Sequence, residues 1–262
     1  MVDNKSKKTR TFFFLSYGIS WLIWLVGLFF PEGPRFAFFP LGTLGPALAA
    51  IILSVKGGNI GPLLKTIKPH RIKPGKLIAM FTLTPLAMVI PLLYFPMINT
   101  PIPPSFIIEM LPVQIKIWQV LILIPISFPL LMAGNLGEEI GWRGYATERL
   151  LSRYGIISGS LILGVLNAFW HAPLYWLINN PIYNPASWMF AGFLLFEIGY
   201  TIFSSIMWKE KQTIYTGLMV HTPVTIASLL LPTWGHQATI LYSGVLMLLI
   251  ALFYYSFETA RK

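Results

Sequence analysis

Apolar runs of membrane-spanning length recur along almost the whole chain, separated by short polar or Pro/Gly-containing breaks. A helix that crosses the hydrocarbon core of a bilayer needs about 20 mostly apolar residues. Eight windows meet or nearly meet that length: 12–30, 36–55, 77–98, 117–136, 156–178, 187–208, 213–231 and 238–257. The pattern predicts an all-α membrane protein, a bundle of about eight transmembrane helices. Because no segment is left for a soluble domain, we expect residues 1–262 to form one polytopic membrane domain.

The composition supports this prediction. The chain is 55% hydrophobic and only 11% charged, whereas a soluble domain is roughly a quarter charged. Its 21 prolines are tolerated in lipid where neighbouring helices satisfy the freed carbonyls, which predicts kinked helices around a packed interior or a cavity. The chain has no cysteine, which excludes thiol catalysis and Cys-ligated zinc.

The basic residues indicate topology and not nucleic-acid binding. They lie between the apolar runs, and they do not form a stripe with aromatic residues, although the net charge is +10. With the N-terminus inside, 17 of the 19 cations face the cytoplasm, in the N-terminal tail, 56–76, 137–155, 209–212 and the C-terminus. The positive-inside rule therefore predicts a multi-pass protein of the cell membrane with both termini cytoplasmic. Its expected partner is the lipid bilayer.

Ionisable residues inside a membrane are costly, so each one is a candidate site. The stretch Glu138-Glu139-Ile140-Gly141-Trp142-Arg143 lies at the predicted inner end of the fourth helix. On a helix, Glu139 and Arg143 are four residues apart and can form an ion pair, while Glu138 points about 100° away. We predict that Arg143 and Glu139 form a structural strut and that Glu138 serves as a general base. The alternative is an interfacial charge cluster that caps the helix.

Two histidines lie in apolar runs. His171 is expected well inside the fifth helix, where Asn167, one turn earlier, could orient its ring. His221 is expected in the seventh helix, where Pro223 loosens the backbone and Thr225 shares the face of His221. For both histidines the alternative is a structural role in packing or interhelical hydrogen bonding.

Together, a carboxylate pair and two histidines on three helices are the groups needed to activate water. One carboxylate takes the proton, and the imidazoles hold the water or a metal ion. Glu138, His171 and His221 would also supply the three protein ligands of a catalytic zinc site, so Zn²⁺ is an open alternative. The chain contains no HExxH motif.

Glu197 is the one acidic residue in the middle of a predicted span, the sixth. It could lie on a proton path or contact a substrate. The alternative is a hydrogen-bonded glutamate that packs against Tyr200 or a neighbouring helix.

In order and spacing, these motifs resemble those of the CPBP family of intramembrane proteases. Glu138, Glu139 and Arg143 match its EExxxR motif, and His171 and His221 match the histidines of its second and third motifs. That family includes the type II CAAX prenyl endopeptidases and many bacterial proteins called abortive-infection or bacteriocin-immunity factors. The resemblance spans residues 120–230 approximately, within an eight-helix plan like that of the family.

The resemblance implies that Glu138 activates water, that His171 and His221 position it, and that Glu139 and Arg143 support the site. Two positions depart from the pattern. Asn167 stands where the second motif usually has phenylalanine, and Thr225 stands where the third usually has asparagine, read as an oxyanion donor. Because the loss of one oxyanion donor costs about 10² to 10³ in rate, reduced or redirected activity, or a catalytically silent member, is an open alternative.

The predicted depths of these residues in the membrane do not match. At 1.5 Å per residue, His171 lies about 22 Å and His221 about 12 Å from the inner ends of their helices, while Glu138 lies at the boundary. The depths converge only if the first-motif helix continues within the membrane or folds back, or if the fifth helix starts later and tilts. We predict that the stretch GNLGEEIGWRGY lines an interior polar cavity open to the cytoplasm.

The resulting hypothesis is an intramembrane endopeptidase that acts on a membrane-associated peptide or protein near the cytoplasmic leaflet. Glu138 is the proposed base, His171 and His221 hold the attacking water or a zinc ion, and Thr225 and Asn167 polarise the scissile carbonyl. The alternative is a non-catalytic membrane partner, such as an immunity or scaffold protein of the same family. A channel or transporter is a third class, although the chain shows no internal repeat.

Overall fold

Every regular element in the described part of the chain is helical. The computed structural model describes residues 2–35, 37–98, 132–232 and 236–261. The first three long helices are α1 (Val2–Gly27), α2 (Gly45–Lys56) and α3 (Pro74–Val89). Short helical turns flank them at Glu32–Arg35, Phe38–Gly42, Gly61–Thr66, Ile90–Leu93 and Tyr94–Met97.

The next helical stretch, Met132–Trp170, is broken in its middle. Gly155 has φ 78° and ψ 177°, which no helical residue adopts. We therefore call residues 132–154 α4 and residues 156–170 α5. The chain turns sharply there, because a methyl group on Gly159 would lie 2.9 Å from the carbonyl oxygen of Leu150. Residues nine positions apart in a straight helix lie about 13.5 Å apart.

Three further helices complete the described fold. The short elements Leu174–Ile178 and Pro181–Tyr183 connect α5 to α6 (Trp188–Lys211). They are followed by α7 (Ile214–Leu230) and α8 (Gln237–Ala260). The side chains of Ser187 and Thr213 accept hydrogen bonds from the first turns of α6 and α7, so both helices begin with a standard N-cap.

The segment 137–155, predicted to lie between the fourth and fifth spans on the cytoplasmic side, is mostly helical. Residues 137–154 continue the helix that starts before them, and most of the first half of this segment is buried. The charged residues that made the segment resemble a loop include Glu139 and Arg143, which neutralise each other inside the protein. Arg143 therefore does not belong among the cations of the cytoplasmic loops.

Among the described residues, six stretches are long and apolar enough to cross a membrane: Ser6–Gly27, Phe38–Lys56, Pro74–Met97, Met132–Trp170, Trp188–Lys211 and Gln237–Ala260. They agree with an all-α, multi-pass membrane protein. Most of the predicted window 117–136 lies outside the described residues, so the number of about eight spans stays a prediction.

The helices pack around two apolar clusters. The first joins α1, α2, α4 and α5 through large aromatic side chains, among them Phe12, Trp24, Trp142 and Trp170. The second joins α3, α6, α7 and α8, and α6 is buried along most of its length. On the outside, Phe14, Phe29, Trp188 and Phe253 are 79%, 88%, 75% and 74% exposed, as expected for side chains that contact lipid.

The turn at Gly155 gives the first prediction. A side chain at φ 78° and ψ 177° is strained by about 1–3 kcal/mol, although nothing within 4 Å of Gly155 would touch an added methyl group. Gly155→Ala should therefore lower the free energy of unfolding by that amount in an SDS titration. Gly18→Ala is the matched control, because Gly18 lies within α1, also with no atom within 4 Å, and should be neutral or stabilising. Equal effects of the two substitutions would contradict the strained turn.

Candidate active site

The centre of the site is an ion pair on α4. Glu139 Oε2 lies 3.2 Å from Arg143 Nε, and the two side chains are 0% and 1% exposed. Arg143 is in a π-helical turn, Trp142–Ala146, a local widening that is frequent at functional sites. Its Nε also donates a hydrogen bond to Ser204 Oγ at 3.1 Å. The predicted strut between Glu139 and Arg143 is therefore present.

The second oxygen of Glu139 links α4 to two other helices. The Tyr200 hydroxyl of α6 donates a hydrogen bond to Glu139 Oε1 at 3.3 Å, and His221 Nδ1 of α7 lies 3.1 Å from the same oxygen. The Arg143 guanidinium lies 5.0 Å from the centroid of the Tyr200 ring, a cation–π contact. A single carboxylate thus has partners on three helices.

Every fourth residue of α7 contacts α4. Later residues of α7 contact earlier residues of α4. A methyl group on Gly217 would lie 1.8 Å from Glu139 Oε2, so only glycine lets the carboxylate reach α7. One turn further, His221 contacts Glu139. One turn beyond that, the Thr225 hydroxyl donates to Asn135 Oδ1 at 3.2 Å, with the carbonyl oxygen of His221 at the same distance. The two helices are therefore antiparallel in this region.

Glu138 differs sharply from Glu139. Its side chain is 6% exposed, but no described residue gives its carboxylate a hydrogen bond or an ion pair. Its charge interacts over longer distances with those of His221, Glu139, Glu197 and Arg143. The neighbouring glutamates thus have different surroundings: Glu139 is paired with groups on three helices, whereas Glu138 has no hydrogen bond or ion pair to a described residue.

The prediction that His171 lies well inside a helix is wrong, because α5 ends at Trp170 and His171 is its C-cap. Pro173, two residues further on, starts the short helix Leu174–Ile178. At this position the His171 ring is stacked on Tyr183, with centroids 5.6 Å apart and planes at 10°. The charges of the His171 and His221 rings influence each other. The two histidines therefore lie in the same region.

Both imidazoles are held through Nδ1. His171 Nδ1 lies 2.9 Å from the backbone carbonyl oxygen of Asn167, and His221 Nδ1 faces the Glu139 carboxylate. Because a carbonyl or carboxylate oxygen only accepts, Nδ1 donates in both rings, and Nε2 of the neutral ring carries the lone pair. Each ring is therefore oriented with Nε2 available to a ligand or to water.

The side chain of Asn167 does not orient His171 as predicted. The backbone carbonyl does so, while Asn167 Nδ2 donates a hydrogen bond to Glu197 Oε2 at 2.7 Å. Glu197 is therefore hydrogen-bonded to a neighbouring helix, which was one of the two expectations for it. This contact joins α5 to α6 one helical turn before His171.

Several residues of the site were not found from the sequence. Asn135 is 5% exposed, and its Nδ2 has no hydrogen-bond partner among the described residues. Tyr183 ends the short helical element Pro181–Tyr183 between α5 and α6, where burial, helped by the charges of Glu197 and Glu138, raises the pKa of its hydroxyl. The signal for Asn135 was its position three and four residues before the glutamates, whereas nothing in the sequence pointed to Gly217 or Tyr183.

The residues do not form an evident metal site. Within the described ranges, no group of three His, Asp or Glu side chains is placed to hold one metal ion. The possible zinc set of Glu138, His171 and His221 therefore has no support from the geometry of these ranges.

The fold and the site define a class: a multi-pass membrane protein in which two buried glutamates lie close to a histidine of a neighbouring helix. The sequence profile of the Rce1-like family, type II CAAX prenyl endopeptidase Rce1-like, matches residues 117–259, more than half of the chain. The protein belongs to this family. It is also similar to CAAX prenyl protease 2 of Methanococcus maripaludis, with 25% identity over 260 residues that cover 96% of this chain and 94% of the relative.

The buried ion pair gives the second prediction. Removing one partner of a buried pair leaves an uncompensated charge, which costs about 3–5 kcal/mol. Arg143→Gln should lower the free energy of unfolding by this amount in an SDS titration. Arg153→Gln makes the same change at an exposed position of the same helix and should have little effect. If the two variants unfold alike, Glu139 and Arg143 do not stabilise the fold as a pair.

Proposed function

We propose that the protein is an intramembrane endopeptidase in which Glu138 activates a water molecule held by His171 and His221. The observation that carries this proposal is the difference between the adjacent glutamates. Glu139 has contacts with Arg143, Tyr200 and His221, so it is a structural group. Glu138 has no such partner among the described residues and is the carboxylate that can take a proton.

The first step is attack on the scissile carbonyl. A water molecule between Glu138 and the two Nε2 atoms gives one proton to the Glu138 carboxylate, and its oxygen forms a bond to the carbonyl carbon. The Nδ1 contacts of His171 and His221 fix the rings, so little reorganisation is needed when the water is activated.

The second step is collapse of the tetrahedral intermediate. The carbon–nitrogen bond breaks, and the departing amine takes the proton that Glu138 accepted, which returns the carboxylate to its starting state. The products are a free amine and a carboxylic acid, which then loses its proton to water at neutral pH. The net reaction consumes one water molecule.

The negative oxygen of the intermediate needs hydrogen-bond donors. We propose that Asn135 supplies one through Nδ2, which is buried without a partner among the described residues, while Thr225 holds the other end of its amide at Oδ1. Asn135 thus replaces the asparagine that proteins resembling this one carry at position 225. In this arrangement Asn167 polarises no carbonyl, because its amide is bound to Glu197.

The family description indicates the substrate class to test first, a peptide with a prenylated CAAX C-terminus. The relative from Methanococcus maripaludis is called a CAAX prenyl protease. A prenyl chain would anchor such a peptide in the bilayer next to the site. We propose that cleavage takes place near the cytoplasmic leaflet, where the cations of the loops are expected.

The third prediction tests the base. Glu138→Gln keeps the size of the side chain but cannot accept the proton, so it should abolish cleavage of a prenylated CAAX peptide in proteoliposomes without changing the unfolding transition. Glu148→Gln is the control, because Glu148 is exposed on the same helix. Cleavage by Glu138→Gln at the wild-type rate would rule out this mechanism. If wild type cleaves neither prenylated nor plain peptides but Glu138→Gln keeps the cellular phenotype, the protein is a non-catalytic partner instead.

The fourth prediction tests the oxyanion donors. Asn135→Leu removes the N–H donor and should lower kcat by about 10² to 10³ with little change in KM. Thr225→Val removes the hydroxyl that holds the amide and should lower kcat less. Thr225→Ser keeps the hydroxyl and serves as the control. A change in KM alone would assign Asn135 to ground-state binding and not to the transition state.

A further inference from the structure

A large cavity lies at one end of the helix bundle, away from the candidate active site. Its volume is about 880 Å³, and it is lined by the first turns of α3, the last turns of α6 and α8, and Ile156 at the start of α5. Because all three helix ends meet there, the cavity lies at the level where the helices leave the hydrocarbon. None of its lining residues has a role in the proposed reaction.

The wall of the cavity has excess positive charge. Lys73, Lys76, Lys209 and Arg261 line it together with two carboxylates, those of Glu210 and Glu258. Lys76 Nζ lies 2.6 Å from Glu210 and 3.3 Å from Glu258, and the more exposed Lys73 Nζ lies 3.9 Å from Glu210. Lys209 and Arg261 form no ion pair in the described part of the chain. The net charge of the wall is therefore positive.

The inner part of the cavity is apolar. Ala79, Ile206 and Tyr254 lie more than one turn inside the ends of α3, α6 and α8, whereas Lys73, Lys209 and Arg261 lie near the helix ends. The seven-residue step from Tyr254 to Arg261 corresponds to about 10 Å along the helix axis. The interfacial layer of a bilayer is only about 5–7 Å thick on each side, so the cavity reaches from the headgroup level into the hydrocarbon.

We propose that this cavity binds an anionic phospholipid, with the phosphate at Lys73, Lys209 and Arg261 and the upper acyl chains against Ala79, Ile156 and Ile206. Charge and depth together favour this occupant. A soluble anion would leave the apolar end empty, and a zwitterionic lipid would not offset the excess positive charge. Basic pockets between transmembrane helices commonly bind anionic headgroups.

The test uses native mass spectrometry of the full chain in detergent, titrated with phosphatidylglycerol or phosphatidylcholine. Phosphatidylglycerol should bind saturably and more tightly than phosphatidylcholine. Each cation near a membrane surface contributes roughly a fivefold change in affinity. Lys209→Gln should therefore weaken phosphatidylglycerol binding about fivefold. The triple variant Lys73→Gln, Lys209→Gln and Arg261→Gln should weaken it on the order of 100-fold.

The control is a second triple variant with the same loss of charge, Lys56→Gln, Lys65→Gln and Lys68→Gln. These lysines are exposed and do not line the cavity, so phosphatidylglycerol affinity should stay near that of wild type. Retained unfolding transitions show that both variants fold. The proposal is overturned if the two lipids bind alike, if the control loses affinity as much as the cavity variant, or if glycerol 3-phosphate displaces the lipid, which would identify a soluble anion as the occupant.

Discussion

The buried charge of Glu139 is the constraint on which the site depends. A carboxylate at 0% exposure is tolerated in a membrane only when it is paired and hydrogen-bonded. Its partners come from one turn further along α4, from α6 and from α7. Because each partner must approach closely, the same requirement fixes the distance between α4 and α7, and with it the positions of His221 and Thr225. The glycine at 217 is a consequence of that approach.

Most of the fold could be predicted from hydropathy, because lipid demands long apolar helices. The windows for α1, α2, α3, α6, α7 and α8 agree with the structure within a few residues at most ends. The exception is α4. Its charges lower the hydropathy of the segment, and hydropathy cannot show that two of them neutralise each other inside the protein. The break at Gly155 agrees with the predicted window 156–178, which begins directly after it.

The site could be predicted only in part. The types and spacing of Glu138, Glu139 and Arg143 indicated a division of roles, because residues four apart on a helix pair and adjacent residues do not. The roles of Asn135 and Gly217 depend on how α4 and α7 are aligned. The sequence of one helix alone does not determine its register against another. The sequence did contain a signal for the end of α5 near His171. Pro173 follows closely, and the residue before a proline disfavours the helical conformation.

The departures at Asn167 and Thr225 can be understood from the helix packing. Positions 225 and 135 lie on facing turns of antiparallel helices, so the threonine at 225 can hold the amide of Asn135. In the proposed mechanism the donor lies on α4 and not on α7, and Thr225, one turn after His221, holds its amide. Asn167 has two different contacts: its side-chain amide donates a hydrogen bond to Glu197, and its backbone carbonyl orients His171. A substitution away from the family pattern therefore does not by itself indicate a lost function when a residue on the facing helix provides the same group.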